Sequence, residues 1–221
     1  MSRSHLFFAL LLTLMASTPG IQAQEKPFWN EIQNFQRLDS IAQPPTHAIV
    51  FVGSSSIRMW DTLEAQYKSY PVINRGFGGS DLVQANAYIN ELVIKYYPRQ
   101  VVIYSGENDI AAGASGEETY KRFVTFYNNL RQHLPKVPIE YVSIKMSPSR
   151  MKYVKEVILA NELISKHLKN EKNSHFIEVN APMLNKQGQP RPELFKEDML
   201  HMKPEGYAIW TKQITPYLKK K

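Results

Sequence analysis

Cysteine is missing from this 221-residue sequence. Without cysteine the chain forms no disulfide, and it presents no thiolate to a substrate or to a zinc ion. The six histidines include no His-Glu-x-x-His run and no other spacing typical of zinc ligands. We therefore expect a protein that needs no metal and no other cofactor.

Two glycine-containing motifs are also missing. The stretch Gly76–Gly79 lacks the third glycine of a dinucleotide-binding fingerprint, and no Gly-x-Ser-x-Gly sequence is present. The chain has no internal repeat, no low-complexity linker and no change of composition along its length. Its length suits a single hydrophobic core, so we expect one domain over residues 24–221.

Basic residues outnumber acidic ones, 27 to 20, which gives a formal net charge of +7. The two signs are interspersed, and the only basic run is Lys219–Lys221 at the C-terminus. Because no aromatic residues alternate with a basic cluster, we predict no nucleic-acid partner. Attraction to acidic glycans or anionic lipid surfaces stays open, and the sequence does not reveal the oligomeric state.

The N-terminus has the pattern of a secretory signal. Arg3 and His5 precede an apolar core from Leu6 to Met15, and small and polar residues follow as far as Ala23. The apolar core is too short to span a bilayer comfortably. We predict that residues 1–23 are removed after Ala23, which would give a periplasmic or secreted protein without stable membrane insertion. An uncleaved amphipathic anchor is the alternative.

Strand-like runs alternate with helix-length stretches along the chain. Short runs rich in β-branched and aromatic residues favour buried strands at 47–52, 71–77, 101–105, 139–145 and 175–179. Apolar periodicity and terminating prolines or polar residues favour helices at 28–41, 81–97, 117–134, 149–172 and 204–218. This alternation predicts an α/β fold, a three-layer α/β/α sandwich around a five-stranded parallel sheet.

Polar residues follow the first, second, third and fifth predicted strands. They are Ser55, Gly79, Asn108 and, in the long segment after the fifth strand, Asp198 and His201. Loops at the carboxyl ends of parallel strands meet at one edge of the sheet, so we expect these residues to converge. A serine hydroxyl becomes a nucleophile when a histidine takes its proton and a carboxylate orients that histidine. Ser55, His201 and Asp198 are therefore a candidate catalytic set.

An attacked ester carbonyl also needs hydrogen-bond donors for its developing negative charge. The backbone N–H groups of Ser55 and Gly79 and the side-chain amide of Asn108 are the candidate donors of this oxyanion hole. Taken singly, each motif has a simpler explanation, such as a small-residue turn, a turn that needs positive φ, or a helix cap. Their occurrence together, beside the expected strands, favours a hydrolase site.

Several residues next to these motifs are candidates for binding substrate. They are Arg58, Trp60, Arg75, Phe77, Glu107 and Met202. Pocket walls combine apolar side chains with a few polar ones, and this set does the same. Surface charge and core packing are the alternative roles for these residues.

The four motifs together resemble those of the SGNH hydrolases, the GDSL esterase and lipase family, and more narrowly its platelet-activating-factor acetylhydrolase-like members. The family's blocks correspond in order to Gly53-Ser54-Ser55, Gly79, Gly106–Asp109, and Asp198 with His201. The resemblance runs from about Ile49 to Tyr207 and implies the flavodoxin-like SGNH hydrolase fold, with Ser55 as the nucleophile. Ser54 stands where many members have aspartate, which puts loop bracing or substrate preference in doubt more than catalysis.

Together with the predicted signal, the resemblance implies an exported serine esterase that acts through an acyl-enzyme intermediate. It implies small acyl groups, with acetyl esters on carbohydrate preferred. The alternatives are a lipid or lysophospholipid esterase, an acyltransferase that uses a glycan hydroxyl in place of water, and a noncatalytic glycan-binding module on the same fold. The expected partner is a small-molecule or glycan ester.

Overall fold

A computed structural model describes residues 26–220, so the predicted signal segment lies outside the described residues. The strands are β1 (Ile49–Gly53), β2 (Val72–Gly76), β3 (Gln100–Tyr104), β4 (Ile139–Val142) and β5 (Ser174–Ile177). They form one sheet in the order β2-β1-β3-β4-β5, and every pair is parallel. The predicted five-stranded parallel sheet is confirmed.

Helices connect the strands and cover the sheet. They are α1 (Trp29–Ile41), α2 (Ser55–Arg58), α3 (Leu63–Gln66), α4 (Leu82–Ala87), α5 (Ile89–Leu92), α6 (Glu107–Ala111), α7 (Gly116–His133), α8 (Val154–Leu168) and α9 (Pro204–Ile214). Between residues 26 and 220, no helix has both the length and the apolar character needed to cross a membrane.

The side chains of β1 enter two separate cores. Val50 and Val52 belong to a buried cluster with side chains of α1, α4, α5, α7 and α8. Ile49 and Phe51 belong to a second cluster with side chains of α2, α3 and α9. Successive side chains of a strand point to opposite faces, so a sheet covered on both faces requires apolar residues at every position. The continuous apolar runs of the sequence have this cause, and the three-layer prediction is confirmed.

The prediction of one continuous helix over 81–97 is wrong. The segment forms α4, α5 and a 3-10 turn at Ile94–Tyr96, with interruptions at Tyr88 and Val93. Asparagine and β-branched residues have low helix propensity, and this segment contains Asn86, Asn90 and Val93. Its start was placed correctly, because Asp81 and Gln84 form a capping box.

Two other predicted elements end earlier in the structure than the sequence predicts. The last predicted helix finishes as a 3-10 turn at Thr215–Tyr217, since Pro216 has no N–H to donate. The fourth strand ends at Val142 and not at Lys145. Beyond it, the side chain of Asn161 accepts from the Ile144 N–H and donates to the Ile144 carbonyl, both at 2.8 Å. An amide from α8 thus replaces a neighbouring strand.

Candidate active site

The residues singled out for chemistry follow the carboxyl ends of neighbouring strands. Ser55 is the first residue of α2, directly after β1. Gly79 lies in the turn after β2, and Asn108 lies in α6 after β3. Asp198 and His201 lie in the long segment between β5 and α9. Since β1 is paired with both β2 and β3, the first three segments are adjacent at this edge.

The turn that presents Ser55 depends on Gly53. This glycine ends β1 with φ of 146°, and a Cβ atom there would lie 1.8 Å from the carbonyl oxygen of Tyr104. No side chain fits that space, and the backbone conformation is one that other residues rarely adopt. The glycine therefore lets the chain leave the sheet sharply beside β3 and begin α2 at Ser55.

A chain of hydrogen bonds links Ser55, His201 and Asp198. The Nε2 atom of His201 lies 2.9 Å from the Ser55 Oγ, and its Nδ1 atom lies 2.5 Å from the Asp198 Oδ2. With hydrogen on Nδ1 donated to the carboxylate, Nε2 accepts the hydroxyl proton of Ser55. Within residues 26–220, no group of three or more histidine, aspartate or glutamate side chains is placed to hold a metal ion. The arrangement can support nucleophilic attack by serine.

Asp198 and His201 form a compact unit held by its own backbone. The Asp198 Oδ1 accepts from the N–H groups of Leu200 and His201, both at 2.9 Å, and Met199 takes φ of 54°. Burial raises the pKa of Asp198, but the hydrogen bonds from the His201 side chain and from these two N–H groups outweigh it and lower the pKa to about 2. The carboxylate is therefore ionised across the range in which esterases are assayed.

Gly79 and Asn108 lie side by side. A Cβ atom placed on Gly79 would be 3.7 Å from the Asn108 Nδ2 and in contact with no other group. The Nδ2 donates one hydrogen bond to the Ser80 carbonyl at 3.1 Å. Because an amide nitrogen carries two hydrogens, one remains for a ligand. Glycine at position 79 leaves this space open beside the amide.

Asp109, the residue after Asn108, connects two segments of the site. Its buried carboxylate accepts from the Leu82 N–H and from the Arg122 guanidinium, each at 3.1 Å. Burial raises the pKa of Asp109, although these two hydrogen bonds oppose the rise. The contacts join the start of α6 to the start of α4, so the segments after β3 and β2 are fixed relative to each other.

Two residues that sequence reasoning did not single out hold the helix of Ser55. The Asn74 amide donates to the Ile57 carbonyl at 2.7 Å, and its oxygen accepts from the Gly76 N–H at 2.9 Å. From the other side, the Tyr207 hydroxyl donates to the Ser56 carbonyl at 2.9 Å. A polar asparagine inside an apolar strand was the available signal for the first. Nothing local marks Tyr207.

Glu107, a predicted substrate-binding residue, lies instead in a buried network. Its carboxylate is 2.5 Å from the Lys145 Nζ, and it accepts from the hydroxyls of Ser147 at 2.6 Å and Tyr104 at 2.8 Å. Burial raises the pKa of Glu107, and the charge of Lys145 with these hydrogen bonds brings it below the ordinary value. Burial lowers the pKa of Lys145, and Glu107 opposes that effect. The ion pair with Lys145 fixes Glu107, the residue before Asn108, in the interior.

Removing one partner of this buried pair is expected to destabilise the fold strongly. In a Lys145→Met variant, Glu107 would either hold an unpaired charge in the interior or take up a proton there, and both cost free energy. We expect the free energy of unfolding to fall by about 3–5 kcal/mol, measured by denaturant titration. The double variant Glu107→Gln/Lys145→Met removes both charges and should lose less stability. A double variant as unstable as the single one would contradict the ion-pair explanation.

Three other predicted substrate-binding residues are buried. Phe77 and Met202 are fully buried, each in one of the two cores. Arg75 is also buried, and its guanidinium donates to Asp39 at 2.5 Å and to the Tyr96 hydroxyl at 2.6 Å. Core packing, one of the two alternative roles, describes Phe77 and Met202, whereas Arg75 forms an internal ion pair that neither alternative named. Their burial leaves little surface for a ligand.

Arg58 and Trp60 border an open cavity of about 720 Å³ beside α2. The Arg58 side chain is about half exposed and lies 3.8 Å from the Glu31 carboxylate. Trp60 is buried among aromatic rings, and its indole N–H donates to Gln66 at 2.9 Å. Of the six predicted substrate-binding residues, these two are placed beside a cavity next to Ser55.

Comparison with known proteins agrees with this geometry. The model of the GDSL-like lipase/acylhydrolase family matches residues 39–209. Among curated proteins, no sequence match is found.

Similar folds occur among solved structures. A protein from Streptococcus pneumonia, provisionally named platelet activating factor, has a TM-score of 0.76 at 20% identity over 87% of this chain and 93% of its own. A GDSL-like lipase from Bacteroides thetaiotaomicron has a TM-score of 0.72 at 21% identity over 84% of this chain and 95% of its own. An acetyl esterase with acetate ion has a TM-score of 0.59 at 13% identity over 76% of this chain and 94% of its own. With the family model covering most of its length, this chain belongs to the GDSL-like lipase/acylhydrolase family of hydrolases that act on carboxylic esters.

Proposed function

We propose that the protein is an exported serine esterase that removes small acyl groups, preferably acetyl, from carbohydrate. The observation that carries the proposal is the continuous hydrogen-bond chain from Ser55 through His201 to Asp198. Three residues from two remote segments meet with the distances and partner order that serine acyl transfer needs. Cleavage of the signal after Ala23 belongs to the proposal as a prediction.

The first half of the reaction forms an acyl-enzyme. The Ser55 Oγ attacks the ester carbonyl carbon while His201 Nε2 takes the hydroxyl proton. Asp198 holds the imidazole in the required tautomer and stabilises its positive charge. When the tetrahedral intermediate collapses, the C–O bond to the alcohol breaks and Nε2 gives its proton to the leaving oxygen. The alcohol departs and the acyl group stays on Ser55.

The second half releases the acid. His201 takes a proton from a water molecule, the resulting oxygen attacks the acyl carbon, and Nε2 returns the proton to Ser55 as the carboxylic acid leaves. In both halves the negative oxygen is held by the N–H groups of Ser55 and Gly79 and by the free hydrogen of the Asn108 amide. The adjacency of Gly79 and Asn108 supports this role.

Replacing Asn108 by alanine is expected to lower kcat by a factor on the order of 10² to 10³, with a much smaller change in KM. The reason is that its hydrogen bond strengthens as charge develops on the carbonyl oxygen, after the substrate is bound. Steady-state kinetics with p-nitrophenyl acetate measure the effect. Asn90→Ala, at an exposed position of α5, is the matched control. An unchanged kcat in Asn108→Ala would exclude the amide from the oxyanion hole.

A comparison of substrates tests which class of ester the protein hydrolyses and whether water or a glycan hydroxyl accepts the acyl group. The purified protein is assayed with acetylated xylan, an acetylated sialic acid and short lipid esters, with and without a free acceptor glycan. The proposal expects free acetate from acetylated carbohydrate. A new glycan ester in the presence of the acceptor would instead establish acyl transfer, and preference for lipid esters would exclude the carbohydrate assignment.

A further inference from the structure

The cavity beside α2 lies between α1, the segment containing α3, and the end of β2. Its volume is about 720 Å³, within the usual range for a small-molecule site. Polar side chains from α1 and from the α2–α3 segment border it, and the half-buried ring of Phe35 adds aromatic surface. No step of the proposed acyl transfer uses these side chains.

Two contacts link the cavity wall to segments of the proposed reaction site. The Glu31 carboxylate on its wall accepts from the Gly78 N–H at 2.9 Å, one residue before Gly79. The same carboxylate oxygen lies 3.8 Å from the Arg58 guanidinium, on the four-residue helix that begins at Ser55. The cavity wall is thus built on the same two segments that the proposed acyl transfer uses, the turn before Gly79 and the helix that begins at Ser55.

The charge of the lining differs from that of the whole molecule. The cavity is bordered by three carboxylates, Glu31, Asp61 and Glu64, and by one guanidinium, Arg58. The chain as a whole has a net charge of +7. Asp61 and Glu64 are exposed at the opening. An anionic ligand entering the cavity would approach carboxylates at close range and would be disfavoured.

The remaining groups suit hydroxyl groups. The amides of Asn30 and Asn34 are exposed on α1 and offer both donors and acceptors, and the carboxylates accept from hydroxyls. The Asn74 amide is already bound to backbone groups, so it contributes shape and not recognition. Polar groups of both kinds beside aromatic surface match a ligand that carries many hydroxyls on an apolar ring.

We propose that this cavity binds the sugar that carries the acyl group, and that it selects an uncharged saccharide over an anionic one. The inference rests on the proposed esterase function and adds the class of sugar. Acetylated neutral sugars are then substrates, whereas acetylated uronic or sialic acids are poor ones.

Two substrates that differ only in charge test the selectivity. Monoacetylated methyl glucoside and the corresponding monoacetylated methyl glucuronide are compared by kcat/KM, with p-nitrophenyl acetate as a substrate that does not fill the cavity. The native protein is expected to favour the glucoside by a factor of about three to ten, the effect of like charges within about 10 Å at a cavity open to solvent. Equal kcat/KM values for the two sugars would overturn the proposal.

A charge reversal identifies the cavity as the cause. Each kcat/KM is divided by the p-nitrophenyl acetate value of the same variant. Glu64→Lys is expected to reduce the preference by a factor of about three, and Glu64→Gln less in the same direction. Glu162→Lys, an identical charge change at an exposed position of α8, is the control and should leave the preference intact. Equal effects of the two lysine variants would overturn the assignment to this cavity. Native protein inactive even toward p-nitrophenyl acetate would instead refute the esterase function itself.

Discussion

Replacement of Ser55 by alanine is expected to lower the hydrolysis of p-nitrophenyl acetate by a factor on the order of 10⁴ or more. In the proposed mechanism this hydroxyl forms the acyl-enzyme, and its Oγ lies 2.9 Å from the His201 Nε2. Without it, water has to attack directly, and only the oxyanion donors and substrate binding remain. Steady-state kinetics measure the loss, and circular dichroism confirms that the variant is folded.

A covalent probe gives the same prediction a second readout. A fluorophosphonate should attach once to the native protein, at Ser55, and should not attach to Ser55→Ala. Ser54→Ala is the matched control, since Ser54 is buried and its side chain forms no helix-capping hydrogen bond. It should retain both labelling and activity. Native protein that is folded but neither labelled nor active would favour the noncatalytic glycan-binding alternative.

The second large effect is expected for Asp198→Asn, with kcat lowered by a factor on the order of 10⁴. Asparagine keeps the shape of the side chain but can donate to Nδ1. That hydrogen bond favours the tautomer with hydrogen on Nε2, which cannot accept the Ser55 proton. Glu197→Gln changes the charge of an exposed neighbour in the same way and should remain active. Comparable activity of the two variants would remove Asp198 from the mechanism.

The pH dependence of the native enzyme adds a check on Asp198. The pKa of Asp198 is lowered to about 2 in the folded protein. A carboxylate with a lowered pKa keeps its favourable interactions at pH values above its ordinary pKa and loses them as the pH falls toward the lowered value. The hydrogen bond to His201 should therefore persist at pH 4, and its proton resonance in NMR spectra measures this. Disappearance of that resonance between pH 6 and pH 4 would contradict the lowered pKa.

Much of the candidate site can be predicted from the sequence, because its parts are local. Asp198 and His201 are three residues apart, and their geometry depends on one turn closed by its own N–H groups. Gly53 marks the end of a strand beside which only a glycine fits. Each motif carries its own short-range constraint, and the four in order, beside the expected strands, together predicted the site.

The burial of several predicted substrate-binding residues depends on remote segments. Phe77 and Met202 lie next to motif residues in the sequence, yet their side chains point into the two cores. Glu107 is adjacent to Asn108, but its partner Lys145 follows a different strand. Sequence adjacency does not determine which side of a turn faces solvent, because packing of the surrounding helices decides it.

The sequence by itself determined the number of strands and the parallel sheet and predicted the candidate reactive groups, because strand periodicity and turn chemistry act over a few residues. Only the tertiary structure decided that Asn74 and Tyr207 hold the helix of Ser55 and that an acidic cavity opens beside it. Those features arise where α1, β2 and α9 lie next to α2, the helix that begins at Ser55. Contacts between elements far apart in the chain follow from how the layers pack, which no local pattern records.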